Sequence, residues 1–98
     1  MVSLEAKDRL SNQEAVLGAL LIEDKLIGPV LSKVSDRDFL DDVYRQIFQA
    51  IRAQFVSGKP VDPVTVRDRL GGGKVWGDLL LQIMDDTPTA ANIWEYVP

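Results

Sequence analysis

Between Asp41 and Val56 the apolar residues return at the spacing of one helix face. Val43, Tyr44, Ile47, Phe48, Ile51 and Phe55 fall on one arc, and Arg45, Gln46, Gln49 and Arg52 fall opposite. Such a segment cannot lie as a strand, because alternation would scatter the same residues over both faces of a sheet. It needs an apolar neighbour along its whole length, and that demand sets the class of the fold. Ser57-Gly58 ends the helix and Pro60 prevents its return.

The remaining segments are shorter and punctuated in the same way. Ser11-Asn12-Gln13-Glu14 has the capping-box pattern and predicts a helix from about Gln13 to Ile22, preceded by a flexible lead-in over residues 1–11. Its apolar residues go almost all the way round, leaving mainly Glu14 and Gly18. A helix of this kind is buried on most sides, with Gly18 allowing a close backbone approach. Lys25 to Ser32 makes a second helix in which Pro29 must fall in the first turn. Ser35-Asp36-Arg37-Asp38 is a further start signal, followed by Phe39 as a plug for the core.

Asp62-Pro63 opens a fourth helix to Leu70, and Gly71-Gly72-Gly73 forms a joint. A fifth helix covers about Val75 to Met84, ended by Asp85-Asp86. Thr87 then caps a sixth, which starts at Pro88 and runs to the end. The one β-like run, Val61 to Val66, is broken by Pro63. The chain therefore reads as all-α: one compact orthogonal bundle of about six short helices over residues 12–98.

Charge and composition exclude several functions. With 11 Lys and Arg against 15 Asp and Glu, the net charge is −4, and the basic residues are scattered. Phosphate-backbone binding needs clustered cations, so direct nucleic-acid binding is not expected. Without cysteine there is no disulfide or thiolate site, and without histidine the commonest general base and metal ligand are missing. No apolar run approaches the ~20 residues of a membrane span. The expected compartment is the cytosol (cytoplasmic).

Each chemically suggestive motif has a plainer reading. Gly71-Gly72-Gly73-Lys74 lacks the glycine spacing and the following Ser/Thr of a phosphate loop, and it reads as a linker. The acidic pairs Glu23-Asp24, Asp36/Asp38, Asp41-Asp42 and Asp85-Asp86 all sit at helix boundaries, where capping accounts for them without a metal. Asn92, in mid-helix, reads as a structural hydrogen-bonding residue. No catalytic, cofactor-binding or metal-binding residue is assigned.

Trp76 and Trp94 belong to the core or its edge unless a partner takes them. Trp76, Leu80, Ile83 and Met84 form a stripe with Leu79 beside it, and Leu81 falls about 60° outside. Ile93, Trp94, Tyr96 and Val97 add apolar residues at the end. The candidate partner-binding residues are Trp76, Leu79, Leu81, Ile93 and Trp94.

Taken in order, Ala15-Val16-Leu17-Gly18-Ala19-Leu20-Leu21, Asp38-Phe39, Ile47-Phe48-Gln49-Ala50-Ile51, Lys59-Pro60-Val61-Asp62 with Val64-Thr65-Val66, and Pro88-Thr89-Ala90-Ala91-Asn92-Ile93 resemble the N-terminal domain of DnaB-type replicative DNA helicases. The resemblance covers Asn12 to Val97. It implies a helical head without ATPase activity, with ATP and Mg belonging to a motor domain elsewhere in the parent protein. It also implies self-association in pairs within a hexameric collar, and docking of the primase helicase-binding domain or a helicase loader. The short start, the glycine-rich passage between Leu70 and Leu79, and the end before the helical hairpin depart from the family pattern. The first two point to a divergent, phage-type member. The third leaves an excised domain and a stand-alone product both open, and with them the reading as an adaptor, inhibitor or primase fragment that binds the helicase. A nucleotide-binding motif further along the reading frame would separate these.

Overall fold

The computed structural model describes the backbone of residues 2–87 and the side chains of residues 12–87. Five α-helices follow one another: α1 (Val2–Ile22), α2 (Ile27–Leu31), α3 (Asp42–Val56), α4 (Pro63–Arg69) and α5 (Lys74–Asp86). Two single 3₁₀ turns, Asp24–Leu26 and Asp36–Asp38, lead into α2 and α3. No strand occurs among the described residues. The all-α expectation holds. The sixth helix, Asn92 and the rest of the segment from Pro88 lie outside the described residues.

The largest departure from expectation is at the start. α1 begins at Val2, not Gln13, so the Ser11–Glu14 pattern lies inside the helix and not at its start. The first ten residues contain no Gly or Pro and are rich in Leu, Glu, Ala, Lys and Arg, all good helix formers. Propagating an existing helix costs far less than nucleating one, so a cap signal alone does not interrupt it. A second correction concerns Asp85-Asp86. These residues form the last turn of α5 and neither break nor cap it.

Most of the other punctuation works locally as its chemistry requires. Asp41 Oδ1 accepts from the amides of Val43 and Tyr44 at 2.8 and 3.2 Å and starts α3. Asp62 and Thr65 exchange hydrogen bonds of 2.8 and 3.0 Å across the first turn of α4, with Pro63 at its first position. Ser35 and Asp38 form a capping box around the 3₁₀ turn. Pro29 falls in the first turn of α2, where its missing amide hydrogen has little consequence. Glu23 precedes its 3₁₀ turn without a side-chain cap bond.

The core lies between α1, α3 and α5. Leu17 and Leu20 of α1, Ile47, Phe48 and Ile51 of α3, and Leu80 and Ile83 of α5 are fully enclosed. Ile27, Val30 and Val66 close its sides. Phe39 plugs the core from an extended residue after the second 3₁₀ turn, its ring stacked on Phe48 with centroids 4.6 Å apart. On the outer side Arg52 lies 5.9 Å over the Phe48 ring and 3.9 Å from Asp36. Gln49 donates to Asp36 at 3.1 Å, and that bond, ahead of the cations nearby, holds the carboxyl below its ordinary range.

The α3 arc is narrower than its sequence implies. Val43 and Phe55, near its two ends, are exposed, while Gln54 is buried. Gln54 Nε2 donates to the Pro60 carbonyl at 2.9 Å, and its Oε1 accepts from Arg69 Nε at 2.7 Å. The glutamine thus ties α3 to the loop before α4 and to the end of α4. Gln54→Leu is expected to cost about 0.5–1.5 kcal/mol, because the tie to Arg69 is lost while the Pro60 carbonyl keeps its bond from the Thr65 hydroxyl at 3.0 Å. Chemical denaturation of the variant measures this.

Candidate interaction surface

α5 carries the described part of the predicted surface. Its N-terminus follows Gly71, Gly72 and Gly73, with φ of 108°, 77° and 101°, a left-handed run that side-chain-bearing residues rarely adopt. The turn redirects the chain from α4 into α5, and Lys74 pairs with Asp78 at 3.2 Å on the outer face. Gly77 packs against α4, where an added Cβ would sit 3.3 Å from Arg67 Cδ.

Leu80 and Ile83 turn inward, and Trp76, Leu79 and Met84 border them, half-buried against the core. Trp76 and Leu79 are thus edge residues of the core. Leu81 points away and is 54% exposed, matching its place off the stripe. Val75, at 83%, is more exposed still and was not among the sequence candidates. A position at the very start of a helix lacks a preceding turn to cover it, which periodicity alone does not register. At about 100° per residue, Val75 and Leu79 lie on one side of the Trp76 stripe and Leu81 on the other. The structure therefore does not bring Leu81 together with Trp76 and Leu79 in one patch. Ile93 and Trp94 lie outside the described residues.

The α1–α5 contact fixes how this helix is presented. At Gly18 the backbones come so close that an added Cβ would fall 1.8 Å from Thr87 Oγ1 and 2.9 Å from the Ile83 carbonyl oxygen. Thr87 is buried, and its hydroxyl donates to that same Ile83 oxygen at 2.8 Å. A second polar tie crosses α1 further back, where Gln13 Oε1 accepts from the Leu40 amide at 3.0 Å.

Around this frame other apolar side chains reach solvent: Leu40 and Val43 before and within the first turn of α3, Phe55 and Val56 at its end, and Val64 on α4. Among the described residues no group of three His, Cys, Asp or Glu side chains could hold a metal ion. No described helix is long and apolar enough to cross a membrane. What the described surface offers chemically is apolar contact within an acidic chain.

Comparison with known proteins gives this surface a context. Residues 6–98 match the DnaB-like helicase N terminal domain. The chain is 30% identical over 89 residues to the replicative DNA helicase DnaB of Geobacillus stearothermophilus, covering 86% of this chain and 20% of that protein. It is 32% identical over 95 residues to the replicative DNA helicase DnaB of Mycobacterium leprae, covering 89% of this chain and 15% of the relative. The crystal structure of the N-terminal domain of DnaB helicase from Mycobacterium tuberculosis is similar with a TM-score of 0.79 and 29% identity, over 89% of this chain and 64% of that one. The chain thus spans about a fifth or less of the length of these two curated relatives. With nearly every residue matched and the helical fold shared, this chain belongs to the DnaB-like helicase N-terminal domain family.

Proposed function

We propose that this chain is a non-catalytic protein-interaction and oligomerisation domain of a replicative DNA helicase. In this role it supports assembly of the helicase collar and docks a primase or a helicase loader. The observation that carries the reading is the family match over residues 6–98, joined to a described surface of scattered apolar side chains on an acidic chain. Such a surface suits a protein partner better than a phosphate backbone. In the same reading the ATP and Mg sites and the DNA-unwinding activity belong to a motor domain of the parent protein, which acts in the cytoplasm.

Leu81 tests the docking part of the proposal. Its half-exposed position on α5 leaves it free to enter a partner's pocket, and removing it empties no core space. Leu81→Asp is expected to weaken binding to the primase helicase-binding domain by about 10-fold or more, with the thermal midpoint changed by no more than a few degrees. Calorimetric titration measures the first and thermal denaturation the second. Undiminished binding by a folded Leu81→Asp variant removes Leu81 from the docking surface.

A further inference from the structure

The turn between α3 and α4 folds back beside the end of α4 and leaves a shallow cleft of about 450 Å³, lined by Gln54, Lys59, Thr65, Asp68 and Arg69. Gly58, with a φ of 71°, and the bond from the Lys59 amide to the Gln54 carbonyl at 3.0 Å reverse the chain there. The buried Gln54 side chain anchors the cleft from within. Its Nε2 donates to the Pro60 carbonyl at 2.9 Å, and its Oε1 accepts from Arg69 Nε at 2.7 Å. Thr65 braces the same carbonyl from α4 at 3.0 Å. The Arg69 guanidinium is thus held at one nitrogen, while its two terminal nitrogens have no hydrogen-bond partner among the described residues.

Lys59 brings a second cation to the cleft. Among the described residues Arg45, Arg52, Arg67 and Lys74 each pair with a carboxylate, and Lys59 and Arg69 do not. Asp68, on the same cleft, is already committed to Arg67, whose Nε and Nη2 lie 3.2 and 3.1 Å from its Oδ1. Its Oδ2 remains as an acceptor. A chain of net charge −4 therefore presents, at this one cleft, two unpaired cations and a single acceptor.

We propose that this cleft binds an acidic peptide segment of a protein partner, with a side-chain carboxylate seated on Arg69 and Lys59. A carboxylate is planar and fits the two-pronged end of a guanidinium, to which an ammonium adds a point charge of no fixed direction. Because Gln54 already holds Arg69, the ligand does not bear the full cost of ordering that side chain. Asp68 decides between ligand classes. A peptide carries backbone N–H donors beside its carboxylates, and one of them can donate to Asp68 Oδ2. A nucleic-acid backbone offers only acceptors along its phosphates and meets a repelling charge there. The acidic remainder of the chain repels the same segment, so the cleft fixes the register of the partner more than it adds affinity. The site is separate from Leu81 on α5 and rests on the protein-interaction reading only for the class of its partner.

An amide NMR titration of the 98-residue chain with a short oligoglutamate peptide, blocked at both ends, tests this at low salt. An oligothymidylate of matched charge is titrated beside it. Shifts are expected at Lys59, Thr65, Asp68 and Arg69, including the Arg69 Nε–H signal, with the peptide bound about 10-fold or more tighter than the oligonucleotide. Lys59→Gln removes an exposed charge, and Arg69→Lys keeps the charge but loses the fork. Each should weaken peptide binding by about 3-fold or more with the spectrum of the fold retained. Shifts absent from these residues, or spread evenly over the surface, overturn the site. Parent-like binding by either variant overturns it as well. Both results leave the Leu81 proposal standing, since that is read with a different ligand on α5. An oligonucleotide bound at the cleft as tightly as the peptide overturns the choice of ligand in favour of phosphate.

Discussion

Gly18→Ala is expected to lower the thermal midpoint of the chain by about 10–20 °C, the equivalent of about 2–3 kcal/mol for a domain of this size. Alanine is the better helix former, by about 1 kcal/mol, so a helix-interior glycine elsewhere would gain from the change. Here the new Cβ meets Thr87 Oγ1 at 1.8 Å and the Ile83 carbonyl oxygen at 2.9 Å. The threonine can rotate aside, but only by giving up its buried bond to Ile83. The carbonyl belongs to α5 itself and moves only if the helix does. Overpacking of this kind costs about 1–3 kcal/mol, and the lost hydrogen bond adds about 1 more. A double-mutant cycle separates the two contributions. Thr87→Ala should recover part of the loss in the Gly18→Ala background and none in the parent. Equal effects of Thr87→Ala in both backgrounds would show that the clash is not at this contact.

The second large effect is expected at Phe39. Truncation to alanine removes a ring that is 1% exposed and stacked on Phe48 at 4.6 Å, in the centre of the core. Such deletions cost about 3–5 kcal/mol, a large share of what a domain this small possesses. The residue lies outside any helix, so helix propensity does not complicate the interpretation. Its backbone carbonyl still accepts from Arg45 Nη2 at 2.9 Å after the substitution, which isolates the packing loss. Leu40→Ala is the internal control. Leu40 is the next residue and equally apolar, but it is exposed, and its loss should change stability by about 0.5 kcal/mol or less. Denaturant titrations of the pair should differ by several-fold in their stability loss. Similar losses at Phe39 and Leu40 would contradict the placement of the core.

This pair also marks how far the sequence could be read. The start signals at Ser35, Asp41 and Asp62 act through atoms within three residues, so their chemistry is local and visible in the chain. Gly18 was legible because it interrupts an otherwise apolar helix, which leaves close approach as its physical use. Gln54 was not, since its partners, Pro60 and Arg69, lie six and fifteen residues away and only the fold brings them together. Nor were the exposed ends of the α3 arc, because periodicity gives direction around a helix and not how far its neighbours extend along it. The start of α1 was misplaced for a related reason: a capping pattern records what a side chain can do, and a helix already in progress leaves it unused. On the surface, the stripe of α5 correctly separated Leu81 from Trp76 and Leu79.

The central claim is that this domain serves protein partners and not DNA. An amide NMR titration of the chain with a primase helicase-binding domain, run beside single-stranded DNA, tests it most directly. The account predicts shifts confined to one face with the primase domain, including amides of α5 around Leu81, and none with DNA. Shifts with DNA and silence with the primase domain would contradict it.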